Sequence, residues 1–410
     1  MNMIAPRQAT AGTAQEAGGQ PLTGVRVVDF TQVMMGPCCT QALGDYGADV
    51  VKVERIGAGD LSRWSIGDDP AGPQNPVFSS LNRNKRSIAL DLKSPDGQAV
   101  VHRLLAAADV VANNFRAGVM ERMGLGWDAL HARYPRLIYA EGTGYGSAGP
   151  YAHKGGQDIL AQALSGVMAR KCAPTDPLTI YPTSLADYSA GMHMVQGILL
   201  ALLHRERTGE GQKVEVSLYD SMLAMQMQEA SMAMMRGVDF SWGALPHNGA
   251  FATSDGALVV VGAFKQNPLQ EISLAIGLPD LSADERFRTF ALSMQNRAEL
   301  HDILRGHFLT GATARWIAAL EARDILCAPV RPLSEALRDP QTAINNMLVE
   351  APQPHGDTLG TVGSPVHLSG NGFALRHTPP AVGQHGADIL AELGYAQDEI
   401  ATLKQAGVLA

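Results

Sequence analysis

Residues 25–54, VRVVDFTQVMMGPCCTQALGDYGADVVKVE, hold two β-branched runs, VRVVDF (25–30) and DVVKVE (49–54), on either side of a stretch of small residues, GPCCTQALGDYGA (36–48). Short β-branched runs bounded by turns read as strands, and a helix-length segment between them makes a βαβ unit. The pattern recurs as RSIALDL (86–92), DGQAVVHRLLAAA (96–108), DVVANNF (109–115), short helical pieces at GVMERMG and WDALHARY, and LIYAEGTGYG (137–146). Strands alternating with helices predict an α/β fold with a mostly parallel sheet covered on both faces.

Beyond 146 come a helix, QDILAQALSGVMAR (157–170), a long apolar helix inside residues 183–212, and a strand in QKVEVSLYD (212–220). Six methionines crowd 222–235; Met fills irregular gaps, so core or subunit-interface packing is expected there. Near 245 the texture changes. GAFATSDGALVVVGAF (249–264) reads as a hairpin, followed by amphipathic helices near 267–277, 296–308 and 313–323. From 327 the chain is rich in Pro, and it ends in helices at about 385–394 and 397–406. The expected layout is a flexible leader at 1–20, a large domain over 21–235, a smaller α+β domain over 240–325, and a return linker with the rest of the large domain over 326–410.

A chain of 410 residues with 46% hydrophobic content has enough material for two cores. The longest apolar run, GILLALL (197–203), falls well short of the roughly 20 residues of a membrane span. The net charge of -8 argues against a general nucleic-acid surface and leaves room for a local basic pocket. Four cysteines without a CxxC pair, and a leader without the features of a signal peptide, point to reduced thiols in a cytoplasm and to no metal site. Cys38 and Cys39 suit a buried turn better than a reactive one.

The first strand–turn–helix invites a dinucleotide reading, with Glu54 as the ribose-binding acid, but the turn holds one glycine, Gly36, where that fingerprint needs three. Met34 and Met35 would block the approach of a pyrophosphate. Basic residues gather near strand ends instead: Arg55 after the second strand, NRNKRS (82–87) before the third, Arg116 and Arg122 after the fourth. Guanidinium groups there suit a phosphorylated small molecule. Asp187 stands at or just before the start of the long apolar helix, which admits two readings, an N-cap or a carboxylate nucleophile among small residues. His193, six residues on, falls on another helical face.

The segments PLTGVRVVDFTQVMMGPCCTQALGDYGADVVKVER, LNRNKRSIALDL, ADVVANNFRAGVMERMGLGWDAL, GYGSAGPYAHKGGQDILAQALSGVM, LADYSAGMHMVQGILLALLHRERTGEGQKVEVSLYDSML, LCAPVRPLSEALRDPQ and VGQHGADILAELGY follow one another as in a known family. The chain resembles the class III coenzyme A transferases, which include formyl-CoA transferase and carnitine-CoA transferase and are related to α-methylacyl-CoA racemase. The resemblance runs from about residue 21 and is weak only in the smaller domain. It implies a Rossmann-like large domain, an interlocked homodimer, and acyl-CoA and carboxylic acids as substrates with no permanently bound cofactor.

Carried over by resemblance, the nucleophile falls on Asp187, which implies aspartyl-anhydride and aspartyl-CoA thioester intermediates. Arg55, Lys85, Arg86 and Arg122 fall on positions that meet the CoA nucleotide. Met34 stands where formyl-CoA transferase has a glutamine, and that enzyme's mobile glycine-run loop has no counterpart after 240; both features turn the expectation away from formyl and oxalate chemistry, and Met34 with Met35 suggests a less polar or larger acyl group, while dicarboxylates or related organic acids are expected because related enzymes use them. Gln157 stands where the racemase branch has a histidine, which disfavours the alternative, a racemase or epimerase. Tyr145, set among glycines, is a candidate donor to an acyl oxygen.

Overall fold

The computed structural model describes residues 19–66, 75–173, 176–352 and 358–410, so most of the leader lies outside the described residues. By its internal contacts the chain divides into two units. One comprises 1–167, 180–225 and 340–410, and the other 168–179 and 226–339.

The first unit is built on a six-stranded parallel sheet in the order β3-β2-β1-β4-β5-β6. Its strands are β1 (Arg26–Asp29), β2 (Asp49–Glu54), β3 (Lys85–Ala89), β4 (Val110–Asn113), β5 (Ile138–Thr143) and β6 (Lys213–Ser217). The helices between them are α1 (Met35–Asp45), α2 (Pro76–Ser79), α3 (Pro95–Ala106), α4 (Val119–Arg122), α5 (Trp127–Arg133), α6 (Asp158–Leu164) and α7 (Leu185–Thr208), with α8 (Leu218–Met225) after β6. Val27, Val28, Val50, Val51, Val110 and Val111 are all buried, as strands covered on both faces must be. Strand order reverses between β1 and β4, and the crevice beyond the carboxyl ends at such a switch point is where open α/β sheets bind ligands.

The C-terminal segment returns to this sheet. Leu90 bridges Leu409, and Ile389, Leu390, Ile400 and Leu403 join the core that holds Ile88 and Val100. The buried residues of α7, including Ala186, Ala190, Met194, Ile198 and Ala201, recur at helical spacing and face α1 and the sheet. Gly191 lets the two helices meet, because a Cβ there would lie 2.7 Å from the Met35 carbonyl oxygen.

The second unit includes α9 (Met227–Arg236) and is organised on an antiparallel sheet, β7 (Asn248–Ala252), β8 (Ala257–Val261) and β9 (Leu326–Pro329). Phe251, Leu258, Leu300, Phe308 and Trp316 form its separate core. The fold is thus mixed α/β, with a large parallel sheet and distinct antiparallel sheets.

Candidate active site

Asp187 is the third residue of α7 and not its N-cap; that position is Ser184, whose side chain caps nothing. The free N–H groups of the first turn are met from elsewhere. Asp158 Oδ2 accepts the N–H of Ala186 at 2.7 Å and that of Asp187 at 3.0 Å, while its Oδ1 takes the Gln162 amide at 2.6 Å. Because Asp158 satisfies those donors, the Asp187 carboxylate is left to other contacts. Its helix packs on the start of α1, where a Cβ on Gly191 would lie 2.7 Å from the Met35 carbonyl oxygen.

Burial pushes the Asp187 carboxyl up to about 6, the negative charge of Asp158 adds to the rise, and the Met35 N–H opposes it. The result is a half-buried carboxylate, more basic than usual, at the positive end of a 24-residue helix. Cys38 faces it from α1, and both Cys38 and Cys39 are buried; burial drives the Cys38 thiol up to about 11, which removes it as a nucleophile near neutral pH.

The turn that delivers Met35 is held at four backbone groups. Lys52 Nζ donates to the Thr31 carbonyl at 2.7 Å, and Asp60 Oδ1 accepts from Val33 N–H at 3.1 Å. Between them, the Asn114 amide takes both the N–H and the C=O of Gln32 at 2.8 Å each. Val33 has φ 66°, a left-handed conformation that costs a β-branched residue roughly 1–3 kcal/mol.

The remaining sequence candidates separate into two groups. Met34 is the half-buried residue before Met35. Gln157 is exposed and caps its own helix by accepting the Ile159 N–H at 2.9 Å. Tyr145 is half-buried, its ring 5.7 Å from that of Tyr151. Its loop and the Gln157 loop touch through Gly144 and Gly156, where a Cβ on either would come within 2.5 Å of the other's Cα. Arg55 follows β2 directly, Arg122 closes α4 after β4, and both are exposed at the carboxyl side of the sheet. His193 Nδ1 lies 3.0 Å from Ser221 Oγ, away from this cluster.

Lys85 and Arg86, the other two basic candidates, are paired within the protein. They are the first two residues of β3. Lys85 is fully buried, with Nζ 3.2 Å from Asp29 and bonded to Asn82 and the Pro37 carbonyl. Arg86 forks onto Asp49 at 2.7 Å and reaches Glu392 at 2.8 Å. Both charges are already matched inside the protein.

Sequence reasoning passed over Asp158, Asn114 and the buried Lys52–Asp60 pair, which lie 2.8 Å apart. A lysine in the middle of the apolar run DVVKVE is the signal that was available, since a strand covered on both faces tolerates a charge only when it is paired.

The family model for CoA-transferase family III matches residues 22–386. The chain is 35% identical over 398 residues to a succinyl-CoA:glutarate CoA-transferase of Mus musculus, covering 95% of this chain and 90% of that protein. It is 32% identical over 412 residues to a formyl-CoA:oxalate CoA-transferase of Escherichia coli, covering 94% and 98%. Among solved structures, a CAIB/BAIF family protein from Brucella suis superposes with a TM-score of 0.82 at 31% identity, over 92% of this chain and all of that one. The chain belongs to CoA-transferase family III and is an enzyme of the CoA-transferase type.

Proposed function

We propose that the enzyme moves coenzyme A between carboxylic acids with Asp187 as the nucleophile. The Asp187 carboxylate adds to the thioester carbonyl of the donor acyl-CoA and the C–S bond breaks, leaving a mixed anhydride and CoA thiolate. The thiolate attacks the Asp187 acyl carbon, which releases the donor acid and leaves an aspartyl-CoA thioester. The acceptor carboxylate then repeats the sequence in reverse, and the second acyl-CoA departs with Asp187 restored. No net proton is gained or lost.

One observation carries this reading: a half-buried carboxylate, raised to about 6 yet largely ionised at neutral pH, at a helix start with its first-turn donors met by another residue. A carboxylate placed only to cap would spend its oxygens on the donors that Asp158 takes. Arg55 and Arg122 are the cations proposed for the CoA phosphates and adenine, since both are exposed on the carboxyl side of the sheet. Met34 and Tyr145 are proposed to border the acyl group, and Gln157 to lie beside it as a helix cap that cannot take a proton from the acyl α-carbon.

Four- and five-carbon dicarboxylates are the proposed acids. The mouse relative bears the name of a succinyl-CoA:glutarate enzyme, and Met34 and Met35 make the first-helix side of the site apolar. A cytoplasmic homodimer is proposed as the working form. Leu160 and Leu164 on α6 and Leu199, Leu200 and Leu203 on α7 are exposed in the single chain, an apolar surface of the kind a subunit covers. Light scattering after gel filtration tests the dimer.

The test of activity incubates succinyl-CoA with glutarate, mesaconate, citramalate and oxalate in turn and follows each new acyl-CoA by chromatography. The proposal expects transfer to a dicarboxylate and a lesser one to oxalate. Deuterium entering the acyl α-carbon from heavy water without any transfer would contradict it.

A further inference from the structure

Helix α6 carries two side chains that act on the start of α7. Asp158 and Gln162 stand one turn apart on it, both buried, and the Gln162 amide donates to Asp158 Oδ1 at 2.6 Å. The two helices approach closely through Ala161, Ala186 and Ala190, which are buried in one cluster. Gln162 also holds the chain that leads into α7. Its Oε1 accepts the N–H of Tyr181 at 3.1 Å, and its amide N–H groups reach the carbonyls of Thr183 at 3.3 Å and Tyr181 at 3.4 Å.

Every backbone N–H from Leu185 to Tyr188 is engaged. Leu185 donates to the Thr183 carbonyl at 2.9 Å, Ala186 and Asp187 to Asp158 Oδ2, and Tyr188 to the Ser184 carbonyl at 3.0 Å. An acidic side chain at the third position of a helix readily turns back onto free groups of this kind. A carboxylate so engaged is less basic and is aimed at its own helix instead of a thioester. An aspartate carboxyl turns easily about its last bond, so Asp158 needs something to keep Oδ2 over both N–H groups. The Gln162 amide, itself fixed by Tyr181, does this through Oδ1.

We propose that Gln162 is a positioning residue for transfer: it fixes the Asp158 carboxylate over the first turn of α7, which keeps Asp187 from turning back onto its own helix and leaves it for the acyl carbon. The backbone of Asp187 then keeps its partner while the side chain takes and releases an acyl group. The inference rests on the transferase reading above, and Gln162 touches no substrate in it.

Two variants test it. Gln162→Leu removes the amide at similar volume, so Asp158 loses its orienting donor and the N–H groups of α7 become available to Asp187. The rate at which carbodiimide and glycinamide label Asp187 is followed against pH by peptide mass spectrometry, beside turnover of succinyl-CoA with glutarate. The groups that face Asp187 are Asp158 from α6 and Cys38 from α1, and Gln162→Leu keeps both. The labelling midpoint should fall by about half a pH unit or more, as a carboxylate does on gaining donors. The value of kcat should fall about tenfold or more with KM changed less than about threefold.

The second variant reverses the pair. In Asp158→Asn/Gln162→Glu the amide at 158 donates and the carboxylate at 162 accepts, so Ala186, Asp187 and Tyr181 keep an oxygen for their N–H groups. The Thr183 and Tyr181 carbonyls keep the N–H groups of Leu185 and Thr183. The kcat of the pair should exceed that of either single change by about threefold or more. An unmoved midpoint in folded Gln162→Leu overturns the proposal, and so does a folded pair no faster than the single changes. If Gln162→Leu does not fold, the reversed pair decides. Labelling does not depend on transfer. A midpoint that falls in a protein that moves no CoA would sink the transferase reading and leave the positioning of Asp187 standing.

Discussion

Asp158 and Asp187 are two carboxylates joined through the backbone: Oδ2 of Asp158 accepts the N–H of Asp187 at 3.0 Å, and its charge helps to raise the Asp187 carboxyl. The first residue satisfies the helix so that the second is free to react. Asp158→Asn keeps an oxygen for the two first-turn N–H groups but removes the charge. Asp187 should then titrate closer to the ordinary carboxyl range, and the acid limb of the turnover–pH profile should move to lower pH. The weaker acceptor should cost about 1 kcal/mol of stability in thermal or denaturant melts.

Asp187 itself should weaken the fold at neutral pH. Its carboxyl is raised in the folded protein from an ordinary 3.8 to about 6, so above pH 6 the native state holds an ionised group in a poorly solvated place. Asp187→Asn keeps the shape of the side chain and removes that charge. It should stabilise the protein by about 1–2 kcal/mol at pH 7–8, the discounted worth of the shift for a group in partial contact with water. The gain should shrink from pH 6 to pH 4 and vanish below, where both proteins are neutral at this position. Denaturant melts across pH 4–8 check the sign.

Three of the basic residues singled out in the sequence should divide by what they damage. Arg55→Ala and Arg122→Ala should each raise KM for acyl-CoA about tenfold and leave the melting temperature nearly unchanged, as exposed phosphate-binding cations do. Lys85→Met should leave Asp29 buried with part of its positive environment gone, and cost about 3–5 kcal/mol. Steady-state kinetics and thermal melts on the same preparations separate the two classes.

Much of the large unit was legible because its evidence is local. Strands buried on both faces are short β-branched runs, and alternation with helices forces a parallel sheet. Asp187 was legible as a residue near a helix start. Its release from capping was not, because the cap comes from Asp158, 29 residues earlier in the chain. The internal pairing of Lys85 and Arg86 was hidden for a similar reason: Asp29, Asp49 and Glu392 answer their charges, and Glu392 lies in the last 20 residues. The methionine-rich segment splits in a way composition does not show. Met222 is fully buried, while Met234 and Met235 are 81% and 76% exposed.

The central claim is a covalent one, and mass spectrometry tests it most directly. The protein is incubated briefly with succinyl-CoA, treated with hydroxylamine, digested and mapped, beside Asp187→Ala. The mechanism predicts a hydroxamate on the peptide that holds Asp187, formed in seconds and absent from the variant. No modification at Asp187 with any acyl-CoA that the wild-type enzyme turns over would contradict it, and would return Asp187 to the role of a half-buried helix-start carboxylate.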